Sequence, residues 1–86
     1  MKTKTLPFAE FRRFLLGLGL GYKETRTETA HVFHRGKKDL LAFRLYGDQE
    51  DIDPGDLLST RKYLDLSGLL DAVEFDALLE RVTTTA

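Results

Sequence analysis

Phe8, Phe11, Leu15 and Leu18 recur at the three-to-four-residue interval of a helix face, with Glu10, Arg12 and Arg13 between them. Pro7 stands just before, where a first helical turn tolerates a missing N–H because that group has no partner inside the helix. The spacing predicts a helix ending between Gly17 and Gly19, since glycine enters a left-handed cap at little steric cost.

From Tyr22 to Tyr46 the period changes. Thr, Val, Phe and Tyr dominate, broken at Glu28-Thr29 and at Arg35-Gly36-Lys37-Lys38, which predicts a meander of three short strands near 22–27, 30–35 and 39–46. In the third, Leu41, Phe43 and Leu45 alternate with Ala42, Arg44 and Tyr46, giving one apolar and one mixed face. A loop at Gly36-Lys37-Lys38 pairs Phe33 with Leu41, His31 with Phe43 and Ala30 with Arg44. A slip of one residue would scatter the large apolar side chains over both faces.

Beyond the polar stretch Gly47 to Ile52, Asp53 is placed to cap and Pro54 to open a second helix, with Asp56 in its first turn; it runs to about Leu66, and Gly68 stops it. Asp71 and Glu74 form a capping-box-like start to a third helix whose buried face is Phe75, Leu78, Leu79 and Val82. Residues 1–5 and the tail from Thr83 to Ala86 are expected to be flexible. The order helix, three strands, helix, helix predicts an α+β domain, with helices on the apolar face of a small antiparallel sheet and the other face left to solvent or a ligand.

Eighty-six residues, with neither repeat nor low-complexity linker, make one domain, 1–86. Without cysteine there is no disulfide, thiolate nucleophile or Cys-ligated zinc, which suits a reducing compartment. The charged N-terminus leads into an amphipathic segment, not an apolar signal core, so a cytoplasmic protein is expected. The net charge of −1 conceals a division. Residues 1–47 hold ten Lys and Arg against four acids, a net +6, and residues 48–86 hold three against ten, a net −7. Such a chain is able to turn a basic face to a polyanion such as RNA, because local field steers association more than total charge does.

The two histidines carry the candidate chemistry. Three apart on a strand, His31 and His34 point to opposite faces and cannot chelate one ion. The acidic run from Asp48 to Asp56 makes a poor calcium loop, with Ile52 or Gly55 at its fifth position, and Gly17-Leu18-Gly19-Leu20-Gly21 follows a helix and lacks the Lys-Ser or Lys-Thr of a phosphate loop. Ser59 and Ser67 have no base nearby in the sequence. No metal or cofactor is called for. General acid–base work by a histidine remains, suited to the 2′-hydroxyl and 5′-oxygen of RNA. By strand phase His31 lies with Phe33 toward the apolar face, whereas His34 shares the more exposed face with Val32, Ala30, Arg44 and Tyr46.

Three features, the opening helix passing through Leu18-Gly19 to a first strand, the strand Thr29-Ala30-His31-Val32-Phe33-His34, and the run Asp53-Pro54-Gly55-Asp56-Leu57-Leu58-Ser59-Thr60-Arg61-Lys62-Tyr63-Leu64 followed by Gly68-Leu69-Leu70, resemble the HicA family of toxin–antitoxin systems. The resemblance implies a double-stranded-RNA-binding-domain-like fold (α-β-β-β-α-α), RNA as partner with a HicB-like antitoxin, and metal-independent mRNA cleavage. The family shows Gly-Ser-His and, after two residues, an aromatic. Aligned on Phe33, its catalytic histidine falls on Ala30; aligned on the imidazole, it falls on His31 with one residue deleted. His31 is thus the family-position candidate and His34 the one on the compatible face. Arg26, Arg35, Lys37, Lys38 and Arg44 are expected to hold phosphates and Tyr46 to stack or orient a base. The competing expectation is a non-catalytic protein–protein interaction module.

Overall fold

Helix α1 spans Phe8–Leu16 and takes its N-terminal cap from a distant loop instead of a side chain. The Phe8 and Ala9 amides, unpaired within a first turn, donate to the carbonyls of Glu50 (2.7 Å) and Asp48 (3.1 Å). Leu6 accepts from the Ile52 amide at 2.9 Å, so residues 6 and 7 run alongside 51 and 52. The helix closes at Gly17, whose own cap is right-handed; the left-handed turns come later, at Gly19 (φ 77°) and Gly21 (φ 93°). The structure, a computed structural model, describes residues 6–37 and 39–84. The flexibility expected of residues 1–5, 85 and 86 lies outside the described residues.

The three strands are β1 (Lys23–Arg26), β2 (Ala30–Arg35) and β3 (Asp39–Arg44), antiparallel in the order β1-β2-β3. Phe33 faces Leu41, His31 faces Phe43 and Ala30 faces Arg44, the register that burying the large apolar residues together demands. β3 stops at Arg44, two residues earlier than the alternation suggests. Strand phase therefore lapses before Tyr46, and its side chain turns into the core.

Helix α2 covers Pro54–Leu66. Asp53 stands at its N-cap but makes no side-chain cap bond; its carboxylate lies 3.5 Å from the Arg44 Nε. Beyond Leu66 the chain reverses through Gly68 (φ 73°), with the Leu69 amide donating to the Leu64 carbonyl at 3.0 Å. Helix α3, Ala72–Thr84, is capped by Asp71, whose carboxylate accepts from the Val73 amide at 2.7 Å. It includes Thr83 and Thr84, expected to belong to a flexible tail.

All the helices lie to one side of the sheet. Phe8 is the hub, its ring centroid 6.4 Å from those of Phe33 and Phe43, 5.9 Å from Phe11, and stacked on Tyr46 at 4.8 Å. Phe14 meets Phe75 edge-on at 5.2 Å and ties α1 to α3. Burying each such ring contributes about 1.5–3 kcal/mol, so the stability of this cysteine-free chain resides largely in that aromatic layer. Among the described residues no helix is long and apolar enough to cross a membrane.

Candidate nucleic-acid interface

Because β-strand side chains alternate, the register fixes which residues share the sheet face away from the helices. Lys23, His34 and Leu40 form one row, Thr25, Val32 and Ala42 the next, and Ala30 with Arg44 a third. Small side chains occupy the middle and longer ones the margin. Leu40 is 56% exposed, and Lys23 makes no ion pair with a described residue. The Thr25 hydroxyl sits 3.1 Å from the His34 Nε2, which orients the imidazole on this face.

His31 points the other way, into the core, and is 3% exposed. The Tyr46 amide lies 3.2 Å from its Nε2. The His31 Nδ1 lies 3.1 Å from the Glu24 carboxylate, and the Tyr46 carbonyl is 3.4 Å from Nε2. Glu24 in turn lies 3.6 Å from the Arg12 Nε, and the imidazole ring centroid is 4.5 Å from that of Phe8. Both nitrogens are spent on holding α1, β1 and the chain after β3 together. His31 has none to offer a substrate, which corrects its candidacy as the acid–base residue.

The expected phosphate ligands divide into engaged and unengaged groups. Arg35 donates to the Leu20 carbonyl (2.8 Å) and to Asp39 (2.7 Å). Arg44 donates to Glu50 at 2.8 Å, approaches Asp53, and lays its guanidinium 3.8 Å above the Tyr46 ring. Arg26, at the exposed end of edge strand β1, pairs with His31 and so has the core-side phase, not that of the open face; it and Lys37, in the β2–β3 turn, make no ion pair with a described residue. Lys38 lies outside the described residues.

Tyr46 has no ring face left for a base. Phe8 covers one side, Arg44 the other, and the hydroxyl donates to Asp56 at 2.5 Å, leaving the residue 5% exposed. Its expected place on the open face assumed that β3 continued; since it does not, Tyr46 is a packing residue.

The titratable groups follow these contacts. The hydrogen bond from Arg44, then that from the Gly47 amide, holds the Glu50 carboxyl below the usual carboxylate range. Asp39 is lowered first by the Tyr63 hydroxyl and then by Arg35. Burial pushes the Tyr22 and Tyr46 hydroxyls up to about 12. Among the described residues no three His, Asp or Glu side chains gather as a metal site.

No protein-family model matches the chain, nor does any curated protein or solved structure. Function must therefore be argued from the sheet face itself. Lys23, Thr25 and Leu40 on that face escaped the sequence reading, which had no fixed register for β1; counting alternate positions back from Thr25 would have found Lys23.

Proposed function

We propose that this domain binds RNA across the open face of its sheet, in keeping with its resemblance to the HicA family. The observation that supports the reading best is a helix-free sheet face with small residues at its centre, Lys23 at one margin and His34 beside it. Lys23 on that face, Lys37, Lys38 and, reaching round the β1 edge, Arg26 meet phosphates, whose neutralisation by ammonium and guanidinium groups drives binding through counterion release. His34 is the acid–base residue of a weak, metal-independent ribonuclease activity. It takes the 2′-hydroxyl proton as the 2′-oxygen attacks phosphorus and the P–O5′ bond breaks, and the leaving 5′-oxygen takes its proton from water. A HicB-like antitoxin is the protein partner that the resemblance implies.

Fluorescence anisotropy with labelled mixed-sequence RNA tests the reading. Three or four phosphate contacts predict a logarithmic salt dependence with slope roughly −2 to −3; no binding at low salt overturns it. Incubation of the wild type and His34→Ala with RNA in chelator tests the chemistry, and an uncleaved substrate with wild-type protein removes the nuclease part alone.

One observation favours a second reading. Leu40, Val32 and Ala42 form an apolar strip on the same face, suited to docking a protein in a non-catalytic complex.

A further inference from the structure

We propose that the acidic loop between β3 and α2 masks Arg44 from polyanions, its Glu50 and Asp53 carboxylates occupying the guanidinium that would otherwise extend the phosphate-binding surface across β3. The inference rests on the RNA reading above and names a regulator of that surface.

Arg44 stands in β3 opposite Ala30 with its side chain half exposed, the guanidinium lying 3.8 Å above the Tyr46 ring and donating to the Leu45 carbonyl at 3.0 Å. Glu50 holds it at 2.8 Å and Asp53 at 3.5 Å. Asp48 and Asp51 add two further negative charges to the same loop. The mask is anchored. The Glu50 and Asp48 carbonyls cap α1, and the Gly47 amide donates to the second Glu50 carboxylate oxygen at 3.1 Å. Because the fold already orders the loop, pairing with Arg44 needs little further loss of freedom, and an incoming phosphate must displace preorganised carboxylates. RNA is thereby confined to the side of the face bearing Lys23, with Arg26 and Lys37 at its border, while the β3 margin repels it.

The test compares the wild type with the near-isosteric double variant Glu50→Gln, Asp53→Asn, binding fluorescein-labelled mixed-sequence RNA across a sodium chloride series. Unmasking one cation is expected to steepen the logarithmic salt slope by about 0.7 and to tighten binding about fivefold near 0.1 M salt. Adding Arg44→Gln to the double variant should return the slope to the wild-type value. Wild-type binding with an unchanged or weaker double variant overturns the mask and leaves the RNA reading intact; no binding by either protein overturns both. Should the double variant melt early by circular dichroism, Glu50→Gln alone carries the comparison, with a smaller steepening expected and an unchanged slope again overturning the mask.

Discussion

The Tyr63 hydroxyl on α2 donates to the Asp39 carboxylate at the head of β3. Seven residues further along the chain from Asp39 and seven back along α2 from Tyr63, the pairing recurs with its residue types exchanged: Tyr46 donates to Asp56 in the first turn of α2. α2 therefore lies antiparallel to β3, clasped at both ends, and the helix is fixed to the core side of the sheet. This arrangement keeps the opposite face clear. It also gives α2 a reason to dock despite its weakly amphipathic sequence, in which Leu58 and Leu66 face solvent.

Tyr46→Phe removes both the bond to the Asp56 carboxylate and the one the hydroxyl accepts from the Asp53 amide, and should cost about 1.5–3 kcal/mol. The loss appears as a lower urea midpoint with an unchanged slope. At the other clasp the consequence is a pH dependence. Asp39 is held below its ordinary 3.8, so its contribution to stability is complete above that value and disappears as pH falls through the lower folded-state value. Denaturation of the wild type should become easier below about pH 4, and Asp39→Asn should flatten that decline.

Alkaline pH probes the opposite sign. Tyr22 and Tyr46 are pushed from 10.0 to about 12 by burial, Tyr22 further by the Asp39 and Tyr63 charges and Tyr46 by its bond to Asp56. A tyrosine raised in the folded state contributes stability present below its unfolded value and lost as pH rises toward the folded one. Unfolding should accompany phenolate formation between pH 10 and 12, read by absorbance in a chain with three tyrosines and no tryptophan. Among the described residues the Tyr22 hydroxyl, buried, has no hydrogen-bond partner. Tyr22→Phe should therefore leave stability unchanged or raise it by up to about 1 kcal/mol, while narrowing the alkaline transition.

Substitution at the two histidines should separate a packing role from a surface one. His31→Ala leaves a cavity beside Phe8 and strips Glu24 and the Tyr46 amide of their partner, an expected loss of about 2–4 kcal/mol. His34→Ala, on the open face, should change stability by about 0.5 kcal/mol or less. Thermal or urea denaturation of both variants distinguishes the roles before any activity is measured.

The strand register was legible because burying Phe33, Leu41, Phe43 and His31 on one face leaves a single consistent pairing, and period-two alternation is a local property. Tyr46 was misread for the same reason: alternation holds only while the chain stays extended, and nothing in Leu45-Tyr46-Gly47 announces that β3 has ended. The charge division draws attention to the basic half. It did not reveal that Arg35 and Arg44 are paired, since Asp39 and Glu50 reach them only once the β2–β3 turn and the 47–53 loop have folded. His31 shows the limit most clearly. Its phase placed it near Phe33, but Glu24 and Tyr46, seven residues before and fifteen after it, come together only in the tertiary structure.

Ala30 offers the sharpest test of the HicA resemblance. It lies on the open face, directly opposite Arg44 and two strand residues from Val32, with His34 two further along the same face. An imidazole introduced there projects over the surface proposed for RNA, whereas His31, one residue away, is turned into the core. A half-buried strand position facing solvent accepts a larger side chain without repacking the aromatic layer, so Ala30→His should fold with stability within about 1 kcal/mol of the wild type. Two imidazoles on one face can divide the proton transfers of RNA cleavage, one removing the 2′-hydroxyl proton while the other, protonated, supplies the 5′-oxygen. Cleavage in chelator should rise above the wild-type level and show a bell-shaped pH dependence, the mark of one neutral and one protonated group. A folded Ala30→His protein that binds RNA and cleaves no faster than wild type would mean that the family's catalytic position does not fall on Ala30.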